Sequence, residues 1–103
     1  MSETTQVAEV VTFRLRDGAD PAAFVSAAAA IDPILRKSGA VLGRTLSMDD
    51  DGLWTDHIVW TDLQSAQTVA EQMMADPAAA PMMSMIAPGD VALRHAKIMY
   101  QKE

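Results

Sequence analysis

A chain of 103 residues, 50% hydrophobic and 21% charged, has ordinary globular composition and suits a single domain over residues 1–103 with an adequate core. Eight Lys and Arg against fourteen Asp and Glu give a formal charge of −6, and the basic residues are scattered, so nucleic acid and anionic membrane are disfavoured as partners. Cysteine is absent, which excludes disulfides, thiolate nucleophiles and cysteine metal sites, and no apolar run approaches the ~20 residues of a bilayer crossing.

Met1 to Gln6 is polar and acidic, without the basic and apolar regions of a secretory signal, so a cytoplasmic location is expected. A first strand is expected from Gln6 to Arg16, stopped by the turn dipeptide Asp17-Gly18. Asp20-Pro21 opens a helix, the carboxylate capping free N–H groups and the proline fitting the first helical position. Phe24, Ala27, Ala28, Ile31, Ile34 and Leu35 form its apolar stripe. Pro33 falls inside that stripe and removes a backbone hydrogen bond, which predicts a kink or break near Asp32. Arg36-Lys37-Ser38-Gly39 reads as the helix end.

A second strand covers about Ala40 to Met48, and Asp49-Asp50-Asp51-Gly52 closes a hairpin, with Asp-Gly favouring a primed turn. The third strand is Leu53 to Trp60. Thr61-Asp62-Leu63-Gln64 reads as a capping box opening a second helix, whose buried stripe is Leu63, Ala66, Val69, Ala70 and Met73. Asp76-Pro77 ends it. Ala78 to Ile86 predicts a short extra helix broken by Pro81, Pro88-Gly89-Asp90 a turn, and Val91 to Tyr100 the last strand.

The order strand, helix, strand, strand, helix, strand predicts a ferredoxin-like α+β fold. Its sheet is four-stranded and antiparallel, with both helices on one face and the first and third strands central. Yet the strands are apolar on both sides. Val7, Val11, Phe13 and Leu15 oppose Ala8 and Val10; Trp54, Ile58 and Trp60 oppose Leu53 and Val59. A sheet with one wet face alternates more cleanly. The second face is therefore expected to meet another protein surface, most simply a second copy, giving a homodimer through the sheet face.

Three stretches, Ala8 to Gly18, Asp51 to Trp60 and Val91 to His95, resemble the dimeric α+β barrel superfamily. Within it they resemble the small bacterial proteins similar to antibiotic biosynthesis monooxygenases. The resemblance spans nearly the whole chain and implies two ferredoxin-like sheets packed face to face across a two-fold axis. It also implies a range of chemistries: cofactor-free oxygenases, haem-degrading enzymes, chlorite dismutase-like and muconolactone isomerase-like proteins, and members without known activity. Fold alone fixes none of these. The family's cofactor-free oxygenases are associated with Asn, Trp, Tyr and Arg around the substrate, and its haem degraders with Asn, Trp and His. This chain contains no asparagine, so neither set carries over.

Strand alternation groups the remaining candidates. Glu9 shares a face with Val11, Phe13 and Leu15; Asp56 with Trp54, Ile58 and Trp60; His95 with Leu93, Lys97 and Met99. If these faces coincide, the first strand brings Glu9 near His95 and Asp56. The catalytic expectation is that His95 removes a substrate proton while Glu9 or Asp56 orients it. The plain alternative is a buried polar pair that satisfies core groups, a slightly favoured reading. A metal held by the same three residues is disfavoured, because they share no motif spacing. Trp54, Trp60, Phe13 and Met83 are candidate substrate-binding residues for an apolar or aromatic small molecule, although aromatic residues at strand spacing and the cluster Met73, Met74, Met82, Met83 and Met85 more often fill cores. The opposite parity, Thr12, Arg14, Thr55, His57, Arg94 and Tyr100, reads as the subunit contact, the alternative being a substrate-facing wall with an anion-binding arginine.

No nucleotide fingerprint, phosphate loop, zinc spacing or nucleophile elbow is present. Together with the candidate residues, the resemblance implies a homodimeric, small-molecule-binding α+β barrel protein with oxygenase-like or isomerase-like proton chemistry and no tightly bound cofactor. The alternative is a ligand-binding or stress-related domain without chemistry.

Overall fold

The computed structural model describes residues 5–102. The first strand, β1 (Val7–Phe13), is followed by helices α1 (Pro21–Ala29) and α2 (Asp32–Ser38), then by strands β2 (Val41–Met48) and β3 (Trp54–Trp60). Helix α3 (Leu63–Met74), a single 3₁₀ turn (Pro77–Ala79), helix α4 (Ala80–Met85) and strand β4 (Ala92–Lys97) complete the order. The four strands form one antiparallel sheet in the order β2-β3-β1-β4, with the first and third strands central as expected. This is the ferredoxin-like α+β arrangement.

Local chemistry sets the element ends. Asp20 caps α1 by accepting the Ala23 N–H at 3.0 Å, with Pro21 in the first turn. The break foreseen from Pro33 is real: α1 stops at Ala29, and α2 restarts at Asp32 with Pro33 in its first turn. Without an N–H, Pro33 cannot bond the carbonyl four residues back, so one continuous helix is not available. Gly39 ends α2 with φ 69°, the left-handed conformation that glycine takes at least cost.

Three local expectations need correction. The helix cap is Asp62, not Thr61. Asp62 accepts the Ser65 N–H at 2.7 Å, the Ser65 hydroxyl at 3.0 Å and the Thr61 hydroxyl at 2.9 Å. A carboxylate one residue nearer the helix satisfies the free N–H better than the threonine does. These bonds, led by the one from the Ser65 backbone, hold the Asp62 carboxyl below its usual range. The β2–β3 hairpin is not a two-residue primed turn, since Gly52 alone in it has positive φ. Asp49 organises a longer loop, its carboxylate accepting the N–H groups of Asp51 at 2.8 Å and Leu53 at 3.0 Å. Strand β4 ends at Lys97 rather than Tyr100. Ile98 makes one further bond to the Gln6 carbonyl, and Met99 and Tyr100 are exposed.

The core lies between the sheet and its helices. Phe13, Phe24 and Trp54 meet at its centre, with Phe24–Trp54 edge-on at 4.9 Å and Phe13–Phe24 tilted at 5.4 Å between ring centroids. Ile31, Leu35, Ile58, Trp60, Ala66, Val69 and Met82 fill around them. Among the described residues no helix is long and apolar enough to cross a membrane.

Candidate functional site

Strand pairing lays the helix-covered face out in rows. One row reads Arg44, Ile58, Glu9, His95 across β2, β3, β1 and β4; the next reads Leu46, Asp56, Val11, Leu93. Two carboxylates, one imidazole and one guanidinium thus share the inner layer of an otherwise apolar sheet face. A buried carboxylate is costly unless it is hydrogen-bonded and paired, and each of these has found a partner.

Glu9 meets His95, with His95 Nε2 and Glu9 Oε1 2.9 Å apart. The Glu9 side chain is 8% exposed and that of His95 is 22% exposed, so the carboxylate is inside and the imidazole opens towards the sheet edge. When the ring is neutral, Nε2–H donates to the carboxylate and Nδ1 keeps its lone pair. That arrangement orients an imidazole and leaves one nitrogen free to accept a proton.

Asp56 is not part of that pair. Arg44 Nε and Nη2 grip both of its oxygens, at 3.0 and 2.8 Å. Arg44 Nη1 donates to Asp32 Oδ1 at 3.0 Å and to the Ala28 carbonyl at 2.7 Å. The last contact follows from the helix break, because a helix that stops leaves carbonyls for which a cation is a good partner. Burial alone would draw the Arg44 guanidinium down. Hydrogen bonds and charge from Asp56, then Asp32, instead hold it above its ordinary value. Sequence reasoning did not single out Arg44. The signal was there in two pieces, a basic residue on a strand beside an acidic one and a proline that frees carbonyls, but a bulge at Leu42 resets the strand's parity.

The candidate substrate-binding residues divide. Phe13, Trp54 and Trp60 are buried, at 2%, 5% and 1% exposure, and pack as core. Trp60 Nε1 is a buried donor without a partner among the described residues. Met83 lies half exposed on α4, while its neighbour Met82 is buried with Sδ 3.9 Å from Arg44 Nη2. Among the described residues no three His, Asp or Glu side chains gather closely enough to hold a metal ion. A cleft of about 570 Å³ lies along α3, lined by Ser38, Asp62, Gln64, Ser65, Thr68, Val69 and Gln72. Two smaller ones, of about 320 and 170 Å³, flank Arg44.

The helix-free face also follows from the pairing. Its rows are Gly43-Val59-Ala8-Ala96, Thr45-His57-Val10-Arg94 and Ser47-Thr55-Thr12-Ala92. These positions are small, apolar or uncharged apart from His57 and Arg94, and none is a carboxylate. Arg14, expected with them, instead turns to the hairpin, where its Nη2 meets Asp51 Oδ2 at 2.9 Å. Tyr100, also expected there, lies beyond the strand.

No model of a known protein family matches the sequence, and no curated protein matches it. Solved structures do match in fold. The chain is similar to SnoaB, a cofactor-independent oxygenase from Streptomyces nogalater, at 19% identity and TM-score 0.69, with 96% of each chain covered. It is similar to an antibiotic biosynthesis monooxygenase candidate from Bordetella bronchiseptica at 11% identity and TM-score 0.78, covering 93% of this chain and 99% of that one. A further candidate of that kind, from Caulobacter crescentus CB15, matches at 12% identity and TM-score 0.72, over 94% of this chain and 92% of the other. The resemblance read from the sequence thus holds at the level of fold: the chain shares the α+β fold of antibiotic biosynthesis monooxygenase-like proteins over nearly its whole length. At these identities the likeness is one of fold, and fold does not name a reaction.

Proposed function

We propose that this protein binds an apolar or aromatic small molecule and acts on it by proton transfer to His95, in cofactor-independent oxygenase-like or isomerase-like chemistry. The observation that carries the reading is the His95–Glu9 pair at 2.9 Å on the inner face of the sheet, carboxylate buried and imidazole opening outward. Glu9 accepts the Nε2 proton and fixes the tautomer; Nδ1 takes a proton from an acidic C–H or O–H of the substrate. The resulting enolate or phenolate either regains the proton at another carbon, completing an isomerisation, or adds dioxygen at carbon to give a peroxide that takes back the proton from His95, breaks its O–O bond and loses water, leaving a carbonyl. Asp56 holds Arg44 and with it the β2–β3 half of the layer, leaving Glu9 as the orienting carboxylate. Of the aromatic candidates Trp60, opposite Val7 on the first strand, lies nearest the pair, and a ligand oxygen that reached its buried Nε1 would satisfy that donor, while Phe13 and Trp54 stay in the core. Met83 contributes a flexible apolar wall.

The working unit in this reading is a homodimer. Two helix-free faces, poor in charge and rich in Ala, Val and Thr, close on each other and shield the apolar side that the helices leave bare. The small residues of the Gly43-Val59-Ala8-Ala96 row permit close approach of the two sheets.

A second reading, a binding domain without chemistry, is favoured by one observation: four clefts on the described residues are lined by residues other than Glu9 and His95. One experiment separates the two. A thermal-shift screen of aromatic and apolar compounds finds ligands, since whatever binds the folded form raises its melting temperature. His95→Ala then abolishes turnover of the ligand while leaving the dimer intact. Turnover that survives the substitution removes the base from the mechanism, and a bound ligand that is never converted supports the second reading.

A further inference from the structure

From a different part of the molecule we infer that the clefts on either side of the Asp32–Arg44 bridge form one binding site for a small carboxylic acid with an apolar body. The ligand's carboxylate takes the place of Asp32 on Arg44 Nη1.

The two clefts, of about 320 and 170 Å³, share two lining residues, Asp32 and Arg44. Their side chains meet at 3.0 Å, so the bridge itself is the wall between the clefts. Opened, the groove falls within the roughly 300–1,000 Å³ that small-molecule sites occupy. Apolar side chains stand at both ends, Val25 and Leu46 at one and Val41 and Leu42 at the other, over the buried Ala28 and Leu35, and polar groups lie around the bridge. Val25 and Leu42 are half exposed, at 48% and 54%, and Leu42 stands at the bulge that projects it from the sheet edge. The groove therefore has surface to cover an apolar body and one fixed cation at its middle.

The two carboxylates on Arg44 are held unequally. Asp56 is 13% exposed and grips two nitrogens; Asp32 is 45% exposed and touches one. An exposed single bridge is worth little, and a paired, shielded fork is worth much more. Asp32 is the first residue of α2, directly after the break at Ala30 and Ile31. Its side chain has open solvent to swing into. Arg44 stays in place when it does, because Asp56 and the Ala28 carbonyl still fix it. Charge decides the ligand class. The cluster already has two carboxylates for one guanidinium, so an additional anion is repelled. An anion that replaces Asp32 leaves the charge on Arg44 unchanged, and Arg36 in the wider cleft adds a second cation near the exchanged group. Neutral ligands gain nothing from the exchange.

The test uses phenylacetate and a short series of alkyl and phenyl carboxylates, with phenylacetamide as the neutral counterpart, titrated by calorimetry and by methyl NMR on the full-length protein. The acids bind and move the methyl signals of Val25, Leu42 and Leu46, and phenylacetamide does not. Asp32→Ala removes the internal competitor and tightens acid binding roughly two- to fivefold, the factor that a surface bridge is worth. Val25→Asp, on the exposed side of α1, weakens it. A variant whose circular dichroism matches the wild type and whose acid affinity is unchanged by Asp32→Ala overturns the proposal. So does equal binding of acid and amide, or the absence of any carboxylate binding to Asp32→Ala. Failure here leaves the Glu9–His95 reading untouched, since neither residue lines the groove.

Discussion

Replacing Arg44 with methionine is the sharpest structural perturbation the fold offers. It strands Asp56, whose side chain is only 13% exposed, and releases Asp32, which at 45% exposure rehydrates freely. Removing one member of a buried pair costs about 3–5 kcal/mol. The residual exposure of Asp56 and the backbone N–H bonds that the Ala28 carbonyl retains place Arg44→Met near the lower figure, about 3 kcal/mol. For a chain of this size that lowers the melting temperature by on the order of 15–20 °C. Asp32→Ala, by contrast, removes an exposed bridge and costs under about 1 kcal/mol. The double variant Arg44→Met with Asp56→Leu recovers most of the loss, because an apolar pair of similar volume replaces a buried ion pair at little cost. Urea unfolding followed by circular dichroism reads all three as shifts in midpoint at constant slope. The reasoning fails if Arg44→Met and Asp32→Ala cost the same, or if the double variant is no more stable than Arg44→Met.

Other expectations follow from single contacts. The folded state holds the Asp62 carboxyl below its usual range through the Ser65 and Thr61 bonds. Its stabilising effect is therefore complete above the unfolded carboxylate pKa and fades as pH falls through the folded one. Asp62→Asn is expected to flatten the acid limb of a melting-temperature profile between about pH 5 and pH 2. Gly39→Ala meets nothing within 4 Å of the new methyl yet must adopt φ near 69°; its cost is conformational, about 1 kcal/mol, and shows as a lower urea midpoint. Val10→Glu puts a charge in the middle of the helix-free face and is expected to yield a folded monomer by light scattering, against the dimer proposed for the wild type. Glu9→Gln keeps the shape of the pair but weakens its hold on the imidazole, so turnover of an identified ligand falls with little change in ligand affinity.

Much of this architecture is legible in the residues themselves. Period-two alternation in Val7–Phe13 and Trp54–Trp60 fixes which side chains face the helices, and the order of elements fixes the neighbours. Together they place Glu9 opposite His95, as found. Pro33 announces the helix break because its effect is local and obligatory. What stays hidden depends on reach and register. Arg44 joins three elements because a bulge at Leu42 turns it inward and its side chain is long enough to meet Asp56, Asp32 and Ala28 at once. Neither fact leaves a mark in the spacing of apolar residues. Asp56 belongs to Arg44 rather than to His95 for the same reason: alternation gives the face, but charge partners choose among neighbours on it. The cap of α3 went to Asp62 over Thr61 because either residue suits the motif, and backbone geometry alone decides between them.

The most direct measurement of the functional claim is hydrogen exchange on a bound ligand. A compound found by thermal shift is held with the protein in deuterated buffer without oxygen, and NMR follows deuterium entering its acidic C–H position. The wild type is expected to drive this exchange, with His95→Ala slowing it by roughly 10²-fold or more, the range that a positioned base supplies, at unchanged native mass. Equal exchange with and without the His95 imidazole contradicts the account.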